Sequence, residues 1–201
     1  MRLIETRGAP DSLLTVRQRW ANVIAIGAAI VMLLYGLNLR NQELGRVVTY
    51  FNPRVGITAF YPANWLLDVN TQEYVFRVRD MTQTGFKTTI QISIRPVGPT
   101  TAERNIADRL AIERAPILTA YSILSVQEIM LREGRSALAV YYTFTSQETS
   151  PFLEGIPSVA LALDIIEITR GQAIVITYRA DASRFEELYP IFERFLNSLE
   201  L

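Results

Sequence analysis

The sequence has no cysteine and no histidine, and Lys87 is its single lysine. Without cysteine there are no disulfides, iron–sulfur clusters or thiolate zinc sites, and the absence fits either side of a membrane. Without histidine the commonest general base and the commonest transition-metal ligand are both missing. Ser-His and Cys-His nucleophilic schemes and His-ligated zinc are therefore excluded. Positive charge is carried almost wholly by arginine, and residues 41–201 hold 15 basic against 18 acidic side chains, a net of −3. That balance argues against a nucleic-acid surface. Gly8, Gly98 and Gly155 stand alone, so no phosphate-cradling glycine loop exists, and no cofactor is expected.

What the sequence does have is a long apolar run, WANVIAIGAAIVMLLYGLNLRNQ, Trp20 to Gln42, with no charged side chain from Trp20 to Leu39. Twenty residues in a helix span about 30 Å, the thickness of a bilayer's hydrocarbon core. A cleaved leader usually has an apolar region of about 7–15 residues and a small-x-small exit. This run is longer and leaves through Leu37, Asn38, Leu39 and Arg40, so a retained single-pass anchor in the cell membrane is expected. Trp20 and Tyr35 suit the two membrane interfaces. Arg2, Arg7, Arg17 and Arg19 precede the run, and Arg40, Arg46 and Arg54 follow it. The basic residues thus favour a cytoplasmic N-terminus and an extracytoplasmic remainder. Within the run, Ala21, Ala25 and Ala29 recur every fourth residue with Asn22 beside them. Small residues on one face allow close approach of a second helix, so this face is a candidate packing interface with other membrane subunits.

The organisation expected is a tail over 1–19, a membrane helix over 20–39, a linker over 40–46 and one folded domain over 47–201. Apolar content of 49% with 10% aromatics supports a packed core. Period-two patterns dominate the domain. In GFKTTIQISIRPV the even positions Phe86, Thr88, Ile90, Ile92 and Ile94 oppose polar odd ones, the mark of a strand with one wet face. YVFRVRD repeats the pattern and pairs with it as a hairpin. Three more hairpins are expected: VVTYF with GITAFYP, SVQEIML with SALAVYYTFT across Gly134, and ALALDIIEIT with AIVITYRA across Gly171. Two helices follow from the 3.6-residue pattern. TTAERNIADRLAIERAP offers Thr100 and Glu103 as a capping box, and SRFEELYPIFERFLNSLEL offers Ser183 and Glu186, with Pro190 expected to kink or restart it. The fold class is α+β, an antiparallel sheet flanked by helices.

The order of these elements resembles the PsbP family, which includes the extrinsic oxygen-evolving-complex subunit of photosystem II and broader bacterial relatives. The resemblance covers roughly residues 47–201. It rests on Tyr61-Pro62-Ala63-Asn64-Trp65, the Gly134-Arg135 turn and the helix after Arg179-Ala180. It implies an α-β-α sandwich and a non-enzymatic accessory or binding role. Here the chain departs from the photosystem subunit in having a membrane helix and no histidine.

Candidate site residues are few. Tyr61 and Trp65 either line a ligand pocket or plug the core. Asp164 and Glu167 suggest a carboxylate pair, but three residues apart on a strand they point to opposite faces. Asp164 reads as part of the sheet's solvent face, and Glu186 and Glu187 as a cap and a solvated helix start. Thr145–Pro157, polar with two prolines, reads as a mobile loop suited to binding. Three roles remain open: an accessory subunit of a membrane complex, an anchored binding domain for a small molecule or lipid, and, least supported, an enzyme.

Overall fold

In the computed structural model, residues 16–53, 55–68, 73–146, 149–150, 153–154 and 157–200 are described. They fall into two compact units, divided along the chain between Gly45 and Arg46. The first unit is helix α1, Val16–Leu44. Every side chain from Trp20 to Arg40 is exposed, and this stretch is long and apolar enough to cross a membrane. The helix runs on through residues 40–44, which the sequence reading assigned to a linker; Asn41, Gln42, Glu43 and Leu44 contain no proline or glycine to stop it.

The second unit begins with β1, Val47–Asn52, paired antiparallel to β2, Ile57–Pro62. Gly56, at φ 70°, makes the turn between them and donates its N–H to the Asn52 carbonyl at 2.9 Å. Seven further strands form one antiparallel sheet. From one edge these are β3 (Leu66–Asp68), β4 (Phe76–Arg79), β5 (Thr89–Pro96), β11 (Gln172–Asp181), β10 (Ser158–Thr169), β7 (Ser136–Ser146) and β6 (Thr119–Met130). All four hairpins expected from the period-two pattern are present. In place of the loop expected over Thr145–Pro157, the described residues there include β8, Thr149–Ser150, paired to β9, Leu153–Glu154.

Helix α2, Glu103–Arg114, covers one face of this sheet and α3, Phe185–Ser198, the other, giving an α-β-α sandwich. On the α3 side, Phe185, Leu188, Phe192 and Phe195 join Ile90, Ile92, Phe76 and Tyr178 in the largest core. The β1–β2 hairpin closes that core over β4 through Tyr50 and Tyr61, whose rings lie 4.8 and 5.9 Å from Phe76. On the α2 side, Ile106, Ala107 and Leu110 pack on Leu138, Val140, Ile166 and Val175.

Neither expected capping box forms. The N-cap residues are Ala102 and Arg184, without side-chain cap bonds. Ser183 instead donates its hydroxyl to Asp181 at 2.6 Å, in a turn that closes β11 before the helix starts. Pro190 neither ends nor restarts α3, which is continuous from Phe185 to Ser198. An interior proline forfeits one intrahelical hydrogen bond, and the fully packed Phe192 and Phe195 rings beyond it offset that loss.

Candidate functional site

Two features of the second unit combine shape with buried polar chemistry. The first arises because α3 and the β1–β2 hairpin cover only part of their sheet face. Over β10, β7 and β6 that face stays open, forming a cavity of about 1020 Å³. Its floor includes Ala139, Leu163 and Ile165, and Tyr189 and Leu196 of α3 form a wall. Arg132, in the turn between β6 and β7, donates to the Asn197 carbonyl at 3.3 Å and ties that turn to the end of α3. Glu167, 4% exposed, lines the cavity and accepts from Arg135 Nη1 at 2.9 and 3.1 Å. Arg135 Nε is buried with no hydrogen-bond partner. The cavity thus combines an apolar floor with a fixed ion pair and the hydroxyls of Tyr141 and Tyr189, a lining suited to an amphipathic ligand.

The second feature lies on the opposite face, beside the C-terminal end of α2. Asp164 is 1% exposed and is held by both terminal nitrogens of Arg114 and by the Thr177 hydroxyl at 2.7 Å. The Arg114 guanidinium also stands over the Tyr142 ring, 4.7 Å from its centroid. Burial pulls the Arg114 pKa down, but the Asp164 carboxylate more than offsets this and holds it above its usual range. Tyr142 is pushed up to about 12, first by burial and then by Asp164, against the opposing pull of Arg179. Arg179 acts on this hydroxyl through its charge, yet no atoms of the pair meet in hydrogen-bond geometry, so the Tyr142 oxygen is buried and unpartnered.

Asp164 therefore does not face solvent. The reason is its place on β10, a central strand with β7 and β11 on either side and a helix layer over its Asp164 face. Asp164 and Glu167 do lie on opposite faces and form no carboxylate pair. Each is instead matched by an arginine distant in sequence, Arg114 or Arg135; the sequence marks Arg135 only as part of the Gly134-Arg135 turn and neither arginine as an ion-pair partner. The available signal was physical: a lone carboxylate inside ALALDII must find a cation or be neutralised.

Tyr61 and Trp65, at 8% and 5% exposure, belong to the main core, and neither lines the cavity. Ala21, Ala25, Ala29 and Asn22 lie along α1 with exposed side chains. Among the described residues no three acidic groups gather as a metal site.

This sandwich, a seven-stranded antiparallel sheet with one helix on each face, has a PsbP-like fold. Neither a family model nor a curated protein matches the chain, but solved structures share its fold. The cyanobacterial PsbP of Synechocystis sp. PCC 6803, CyanoP, aligns over 77% of this chain and 92% of its own, at 11% identity and TM-score 0.57. LpqN of Mycobacterium tuberculosis, described as involved in cell envelope biogenesis, aligns over 77% and 89%, at 12% identity and TM-score 0.51. The Ran-binding protein Mog1p of Saccharomyces cerevisiae aligns over 77% and 95%, at 10% identity and TM-score 0.50. These likenesses concern the fold.

Proposed function

We propose that this protein is a non-catalytic, single-pass accessory subunit, with α1 in the cell membrane and the PsbP-like domain placed on the extracytoplasmic part of a larger membrane complex. The observation that carries this reading is α1 itself. A helix exposing an uncharged and almost wholly apolar surface from Trp20 to Leu39 is unstable in water and is stabilised by lipid or by other membrane helices. The face of Ala21, Ala25, Ala29 and Asn22 supplies the close-packing surface for such a helix. The buried carboxylates of Asp164 and Glu167 are locked in ion pairs on opposite faces of the sheet, which suits a structural module better than acid–base chemistry.

Native electrophoresis of membranes solubilised in mild detergent, followed by identification of co-migrating chains, tests the reading. A defined assembly containing other membrane proteins is the expected result. Migration of the 22.8 kDa chain with no other protein overturns it. The cavity favours a second reading, an anchored domain that binds an amphipathic small molecule or lipid on the α3 side of the sheet. Native mass spectrometry would then show a bound small molecule and no protein partner.

A further inference from the structure

Strand β6 ends the large sheet, and among the described residues only β7 hydrogen-bonds to it. Its other edge therefore presents a row of backbone N–H and C=O groups, a template for another strand. Exposed edges are usually blunted by lysine, proline, inward charges or bulges. β6 contains no Lys, Arg or Pro, and Glu128 is its single charge. Register shifts between Thr119 and Ser122 and between Ile123 and Ser125 protect its first half. From Ser125 to Met130 the ladder to β7 is unbroken. Exposed apolar side chains bracket this regular run, Leu124 at 56% and Met130 at 70%.

We propose that two copies of this chain pair β6 to β6, antiparallel, about a two-fold axis at Gln127. Such an axis, normal to the sheet, keeps each face continuous across the seam. Opposed residues must then share a face, which requires the axis to pass at a residue. Centred on Gln127, the pairing sets Ser125 opposite Ile129 and Val126 opposite Glu128, and brings Met130 of each copy beside Leu124 at the irregular end of the other's run. The exposed apolar groups meet across the seam, and no like charges stand directly opposite, the two Glu128 side chains being diagonal neighbours. At the axis two Gln127 amides face each other, each offering both donor and acceptor. Isologous contact demands this kind of self-complementarity, and a run with one charge gives a charged partner strand little to match. Because Gln127 and Ile129 also line the cavity, the two cavities flank the seam on the same side of the joined sheet. The proposal is independent of the subunit reading and stands or falls on the behaviour of this chain alone.

The chain has no cysteine, so single spin labels can be placed at Leu124→Cys, Gln127→Cys and Met130→Cys in the full-length protein in detergent micelles. Pairing predicts the shortest interspin distance at Gln127, lengthening by about 7 Å per residue in either direction, twice the strand rise. Leu124 and Met130 labels then give nearly equal, longer distances, and dilution with unlabelled chain removes all three signals. Adding Gln127→Lys, an exposed substitution that brings two ammonium groups together at the axis, should abolish the Met130 distance while leaving the melting temperature within a few degrees. No defined distance at any position overturns the proposal. So does a profile without its minimum at Gln127, or one that survives Gln127→Lys, because either locates the association elsewhere in the molecule. Immobilised β6 labels without spin–spin coupling also overturn it, as they show a different chain on this edge.

Discussion

Asp164, Arg114 and Tyr142 form a unit whose parts make sense only together. A carboxylate at 1% exposure is tolerable because a guanidinium and a hydroxyl hold it, and the guanidinium is tolerable because the carboxylate is there. Asp164→Ala leaves Arg114 as a buried uncompensated charge and is expected to destabilise the domain by about 3–5 kcal/mol. In denaturant titrations the double variant Asp164→Ala with Arg114→Met should be clearly more stable than Asp164→Ala alone. Tyr142 carries a separate, pH-dependent contribution. Its folded pKa of about 12 lies above the ordinary 10.0, so the neutral phenol's contribution is complete below pH 10 and is lost as pH rises towards 12. Because its hydroxyl makes no hydrogen bond, Tyr142→Phe should be nearly neutral at pH 7. Between pH 10 and 12 the variant should gain on the wild type by about 2–3 kcal/mol, at about 1.4 kcal/mol per pKa unit. Equal pH profiles for the two proteins would refute this account.

The hairpins were legible in the sequence because two short-range signals agree in each. GFKTTIQISIRPV alternates, and the strand it predicts is β5; Thr88, Ile90 and Ile92 are buried as the even positions require, while Ser93 is buried against the pattern and Ile94 is only half-buried. Gly134 and Gly171 mark two of the turns, and both adopt positive φ. What could not be read depends on contacts between elements. Capping was misplaced because Ser183 has a nearer partner in Asp181. Arg114 and Arg135 meet their carboxylates across 50 and 32 residues of chain, a separation that no local pattern encodes. The cavity was invisible because it follows from how much of a sheet face α3 covers. One turn also carries strain that its sequence hides: Arg170 has φ 51° and Gly171 φ 73°, the two left-handed residues of a tight turn between Thr169 and Gln172. Asparagine tolerates that conformation far better than arginine. Arg170→Asn is therefore expected to stabilise by about 1 kcal/mol, a melting-temperature rise of roughly 2–4 °C for a chain of this size.

For the whole molecule, the two proposed associations lie on different units. The β6 edge belongs to the domain and the Ala face to α1, so substitutions separate them. Helices in lipid gain little from apolar burial, so their association depends on close van der Waals contact, which Ala21, Ala25 and Ala29 permit and leucine would block. Ala25→Leu with Ala29→Leu keeps the span long and apolar, and it leaves the folded domain untouched. Under the subunit reading this double variant should still reach the membrane and resist a carbonate wash, yet lose most of its co-purifying partners. Gln127→Lys should have the converse effect, breaking only the pairing between copies. If the leucine variant co-purifies with every partner at wild-type yield, α1 is only a tether, and hetero-assembly must be sought on the domain. The test requires that α1 be kept in the mature chain. A run this long, leaving through Asn38, Leu39 and Arg40, is a poor signal-peptidase substrate, so intact-mass measurement on membrane-extracted protein should return the full-length chain.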